Sequence, residues 1–196
     1  MTLPPHGERA DRLLSATLAV ALMLWLASGI SVAVAAMSAF PVLAERGATV
    51  PGLEALAASD PAASGRMVAG LVMDRVFAIT DAAQAVLSGL ALLLAALLAW
   101  RRRRGSGGAI SIVVLLLVLA AASLVTAHAV AIAPPMQAAL AEHRGLAMVA
   151  RLEDAENSRR AFDSLHALAD RLYGLRLLAV AAAILLLLLL PARATR

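Results

Sequence analysis

Four runs along the chain, 13–43, 82–100, 106–141 and 177–190, contain no Asp, Glu, Lys or Arg. A hydrocarbon core of about 30 Å is crossed by roughly 20 helical residues, so the first and third runs are ample and the second is well matched. The fourth reaches full length only if its span begins near 171–173, with Arg176 near the outer headgroups or paired inside a bundle. Stretches such as 111–122 and 184–190 have no polar face, which a soluble fold could not accommodate. The pattern predicts an all-α, integral membrane four-helix bundle. Its spans fall at about 13–39, 78–100, 109–132 and 171–190, and the whole of 1–196 reads as a single transmembrane domain.

Between the spans lie two outer segments, about 41–76 and 134–170, and one short basic turn. Phe40 and Pro41 mark the expected end of the first helix. The segment up to residue 70 is rich in Ala, Gly, Pro and Glu, as a loop with one short helix would be, and 67–77 is expected to run helically into the second span. Pro134 and Pro135 are expected to end or kink the third helix. Phe162, Leu165, Leu168 and Leu172 recur at three- and four-residue spacing among charged positions, the mark of an amphipathic helix. No Gly or Pro interrupts 146–173, which favours an outer stalk continuous with the fourth span over a helix lying in the interface.

A cleaved signal peptide is the competing reading of the first run. Its apolar stretch is too long, since such a region spans about 7 to 15 residues.

Composition strengthens the membrane reading, with 62% hydrophobic residues, against about 45 to 50% in soluble domains. Cysteine is absent, so disulfides and thiolate metal sites are excluded. All 17 basic residues are Arg. One side of the expected topology gathers Arg9, Arg12, Arg101, Arg102, Arg103, Arg104, Arg193 and Arg196 against only Glu8 and Asp11, while on the other side acids outnumber arginines. The positive-inside rule then puts both termini and the 101–108 turn in the cytoplasm. Arg101 to Arg104 read as a topology determinant resting on anionic lipid headgroups, not as a nucleic-acid site. The Ala- and Leu-rich, Arg-only composition points to a bacterial inner membrane.

Several segments carry a family resemblance. They are 25–43 (WLASGISVAVAAMSAFPVL), 70–94, the Ile132-Ala-Pro-Pro-Met136 exit from the third span, and the Phe162-Asp-Ser-Leu-His166 step leading into the fourth. Together, in order and over about residues 20 to 190, they resemble a four-span family of unknown function related to transmembrane protein 205. The resemblance implies a compact four-helix membrane domain with no agreed biochemical activity.

Chemistry must come from the few polar residues. Counting about 20 residues outward from the cytoplasmic ends places Asp81, His128 and the 173–176 turn at one depth, near the outer interface, with His166 a little further out. Asp74, Asp81, Ser88 and Ala95 recur every seven residues on the second helix, with Gln84 flanking, and Ala27, Ser31, Ala35 and Ala39 form a small stripe on the first. Close helix packing, with Asp81 paired to Arg176, is the simplest use of these positions. A sharper use makes Asp81, His128 and His166 a proton- or cation-handling site open to the outer face, or makes His128 and His166 ligands of a divalent metal or a haem.

No phosphate-cradling glycine loop, zinc-protease motif or nucleophile elbow occurs. The expected role is therefore non-enzymatic, structural or accessory, through helix packing, with no cofactor. The expected partners are membrane lipid and a second copy or another membrane protein. A small ion or solute transporter, or a metal- or haem-binding membrane protein, is the alternative.

Overall fold

The structure, a computed structural model, describes residues 6–103 and 107–189. Arg104, Arg193 and Arg196 lie outside the described residues, and so do the side chains of residues 6–8. The described elements are helical: α1 (His6–Glu45), α2 (Glu54–Ser59), α3 (Pro61–Arg102), α4 (Gly108–Ala127), a π-helical turn (His128–Ile132), α5 (Ala133–Met148) and α6 (Leu152–Leu188).

Four continuous helical stretches are long and apolar enough to cross a membrane: Arg9–Glu45, Pro61–Arg102, Gly108–Met148 and Leu152–Leu188. The chain is a multi-pass, all-α membrane protein. Each stretch has 37 to 42 residues. At 1.5 Å per residue a helix of about 40 residues is about 60 Å long, twice the hydrocarbon thickness. Much of what the polar pattern suggested as loop is therefore helix, and the amphipathic 162–172 segment is continuous with the fourth span as a stalk.

Pro41 does not end α1, which continues to Glu45 with the proline inside it. The terminator is Gly47, at φ 55°. Its N–H donates to Ala44 O and that of Ala48 to Leu43 O, the paired bonds of a Schellman turn, which need a left-handed residue between them. Pro134 and Pro135 do not end the third helix either. Neither carries an N–H, so the carbonyls one turn earlier lose their α-helical donors, and the chain widens into the π turn, with Ala133 N–H donating to His128 O. Helix α3 is started by Asp60, whose Oδ1 accepts Ala63 N–H at 2.8 Å, followed by Pro61 at the first helical position.

The chain packs as two compact units. The first comprises Met1–Gly29, Ala82–Thr126 and Tyr173–Arg196. It is a four-helix bundle whose core interleaves Leu18, Leu22 and Trp25 of α1 with Ala91, Ala95 and Leu98 of α3, Val114, Val118 and Ala121 of α4, and Val180 and Ala183 of α6. Alanines opposite Leu, Val and Trp let the helices approach, and dispersion between them replaces the hydrophobic effect that a lipid solvent does not supply. At one end Gly108 begins α4 where any Cβ would lie 2.9 Å from Arg102 O and 3.2 Å from Arg103 O, so the close approach to the end of α3 requires glycine there.

The second unit comprises Ile30–Asp81 and Ala127–Leu172. Its small core joins Leu53, Leu56, Met67, Val68, Ala147 and Ala155, and α2 packs on α5. Gly65 of α3 lies against the backbone of α1, where a Cβ would collide with the Leu43 carbonyl and with Ala44 Cα. One turn of contact is thus backbone on backbone.

Candidate functional site

The residues singled out from the sequence fall into both units. Asp81, His128 and His166 belong to the second, and Arg176 to the first. Asp81 is exposed on α3, and His128 is half-buried as the first residue of the π turn. His166 is stacked on Phe162 with ring centroids 5.3 Å apart, and its Nε2 lies 3.7 Å from Asp170 Oδ2, one turn along α6. Both partners of that pair are more than half exposed. Among the described residues no three His, Asp or Glu side chains gather closely enough to hold a metal ion, so Asp81, His128 and His166 do not form one group.

The arginine block divides its work. Arg101 donates from Nε to Asp11 Oδ1 at 2.6 Å, and Arg102 Nε stands 3.8 Å from Asp11 Oδ2, an ion pair rather than a hydrogen bond. Asp11 and Arg102 are both buried, at 2% and 7% side-chain exposure. These two arginines therefore tie α3 to α1. Arg103 lies over the Trp100 ring, 5.9 Å from its centroid, at the exposed end of α3. The sequence signal for Asp11 was its place before the first apolar run, on the same expected side as the arginines.

In the second unit a comparable tie joins α3 and α5. Arg144 donates from both terminal nitrogens to Asp74, at 2.6 and 3.1 Å, a bidentate pair with Arg144 only 17% exposed. The guanidinium passes over Gly70, where a Cβ would lie 3.1 Å from Nη2. His143 Nδ1 meets Ala155 O at 2.8 Å, and Ser64 Oγ donates to Ala48 O at 2.9 Å.

The most unusual polar groups sit inside the first unit. Gln84 is fully buried on α3, and neither its Oε1 nor its Nε2 has a hydrogen-bond partner among the described residues. Trp25 is also fully buried, with Nε1 likewise unpartnered. An amide or hydroxyl buried without a partner costs about 2 to 7 kcal/mol, depending on the reference state. Gly29, one turn beyond Trp25, brings α1 and α6 together: Tyr173 donates its hydroxyl to Gly29 O at 2.6 Å. A Cβ on Gly29 would lie 2.9 Å from that hydroxyl, 2.7 Å from Leu177 Cδ2 and 3.5 Å from Gln84 Nε2. Arg176 is buried one turn on, its guanidinium 4.4 Å above the Tyr173 ring. In the sequence Gln84 merely flanks the acidic stripe and Trp25 stands within a uniformly apolar run, so neither is marked there as a site.

The helix stripes also differ from expectation. Ser88 and Ala95 are buried, but Ala27, Ser31 and Ala35 of α1 face outward. Leu18, Leu22 and Trp25 supply the packing face of α1 in the first unit instead. Large apolar side chains set that face because they fill the space between the helices.

Compared with known proteins, the chain matches no family profile, no curated protein and no solved structure.

Proposed function

We propose that this chain is a non-enzymatic membrane protein of the bacterial inner membrane that acts by helix association with a second copy or another membrane protein. It is of the same kind as the four-span family related to transmembrane protein 205. Both termini are cytoplasmic in this reading, supported by the Arg-rich flanks on one side of the spans.

The observation that carries the reading is a small-residue stripe left facing outward on α3: Ala82, Ala85, Gly89 and Ala96 are exposed. A Cβ at Gly89 would meet nothing within 4 Å. In lipid, small residues at such spacing let another helix come close enough for backbone packing, which is how transmembrane helices associate. The ion pairs support the same reading, because Asp11 with Arg101 and Arg102, and Asp74 with Arg144, join helix to helix.

The test uses the absence of native cysteine. A benzophenone maleimide attached at Gly89→Cys is photolysed in native membranes beside the same probe at Leu116→Cys, an exposed large position on α4. The reading expects a discrete adduct from Gly89→Cys and little from Leu116→Cys. Equal yields, or no adduct from either, overturn it.

A further inference from the structure

We propose that Gln84 and Trp25 form a buried seat for a small neutral hydroxylic molecule, water foremost, inside the apolar bundle of the first unit. Two independent side chains on facing helices point to it. Gln84 presents two N–H donors and one carbonyl acceptor, all unmade, and Trp25 presents one unmade N–H. Both side chains are completely buried, so bulk solvent does not satisfy them.

Helix geometry puts these groups on neighbouring faces. Asp11 pairs with Arg101 at one end of the α1 and α3 contact, and Gly29 adjoins Gln84 at the other, so the two helices run antiparallel. Trp25 is one turn before Gly29, and Ser88 is one turn after Gln84. The Ser88 hydroxyl donates to Ala85 O at 2.8 Å and keeps its lone pairs as acceptors. The buried groups thus offer donors from Gln84 and Trp25 and an acceptor from Gln84, with the Ser88 oxygen one turn on.

That mixture selects the ligand class. A molecule satisfying it must donate and accept at once, which a metal cation or a simple anion does not do. The amide and the indole carry no charge, so a neutral occupant suits them. Leu22, Ala91 and Val118 in the adjoining core admit nothing polar beyond the seat. Water with two to four polar partners fits such a site, and a buried water of this kind is part of the structure.

The experiment reads Trp25 directly. The chain has two tryptophans, so Trp100→Phe leaves Trp25 as the sole indole emitter. Emission of detergent-purified full-length Trp100→Phe is compared in light and heavy water, with and without Gln84→Met, a similarly shaped side chain lacking the amide. An occupied seat gives brighter Trp25 emission in heavy water. Gln84→Met then moves that emission to shorter wavelength, reduces the solvent isotope effect and lowers the thermal unfolding midpoint. Gln84→Ser, which enlarges the seat and keeps a hydroxyl, retains the isotope effect and provides the reading if Gln84→Met does not fold. Trp25 emission that is the same in both solvents, in the parent or in Gln84→Ser, overturns the proposal. So does a Gln84→Met protein that is more heat-stable than its parent with unchanged emission, since that is the behaviour of a dry, unsatisfied amide.

Discussion

The two units are built from parts of the same long helices, yet they are held by different forces. The first unit is an apolar interleaving of Leu, Val, Trp and Ala around Trp25, with Asp11 paired to Arg101 at one end. The second has a smaller core and relies on directional ties: the Asp74 and Arg144 fork, His143 on the Ala155 carbonyl, Ser64 on the Ala48 carbonyl, and the Gly65 backbone contact. The difference follows from the chain's path. Straight helices satisfy their own backbone and need only shape to associate. Where the chain reverses, at 46–53 and 149–151, freed N–H and C=O groups and charged side chains must be matched individually.

The largest effect is expected in the first unit. Trp25→Ala removes the largest fully buried side chain and leaves a cavity, so it should cost about 3 to 5 kcal/mol, read as a fall in the thermal unfolding midpoint in detergent. If the second unit were as tolerant of strain as a loop region, Gly65→Ala would be silent. Because the added methyl meets backbone rather than a movable side chain, it should instead cost about 1 to 3 kcal/mol, with Gly89→Ala as the neutral control.

Arg144→Gln breaks the fork and leaves Asp74 without its partner. Arg144 is mostly buried while Asp74 is 44% exposed, so a loss of about 1 to 2 kcal/mol is expected, between the surface and buried limits. Hydrogen exchange should show it as faster opening near residues 70–74 and 140–148. Ala150 sharpens the comparison in the opposite direction. It ends α5 at φ 60°, a left-handed conformation disfavoured for a residue with a Cβ. Ala150→Gly should therefore stabilise by about 0.5 to 1 kcal/mol.

The smallest effect is a pH dependence at Glu54. Its own backbone N–H and that of Gly52 hold this exposed carboxyl below the usual range. A carboxyl depressed in the folded state stabilises above its unfolded value, and that contribution disappears as pH falls through the lowered folded value. Local hydrogen exchange should therefore find wild type better protected than Glu54→Gln at neutral pH, with the difference vanishing as pH falls through the lowered folded value. A difference confined to acidic pH would contradict the assignment.

The helical, membrane-spanning character of the chain was determined by the sequence alone. Runs of about 20 or more uncharged residues have only one stable form in lipid, because every backbone group must bond within its own segment. The continuity of the 162–172 stalk with the fourth span was equally legible, since nothing in 152–173 breaks a helix. Phe40 and Pro41 do not mark the end of the first helix, because Gly47 supplies the real stop, whereas Pro134 and Pro135 distort the third helix without ending it, a π turn taking up the lost donors. The partners were decided only by tertiary structure. Which acid meets Arg144, that Asp11 is buried under Arg101 and Arg102, and that Gln84 and Trp25 are buried between helices depend on the rotation of each helix about its axis. Uniformly apolar faces leave that rotation undetermined until Leu, Val and Trp on one helix meet Ala and Gly on the next.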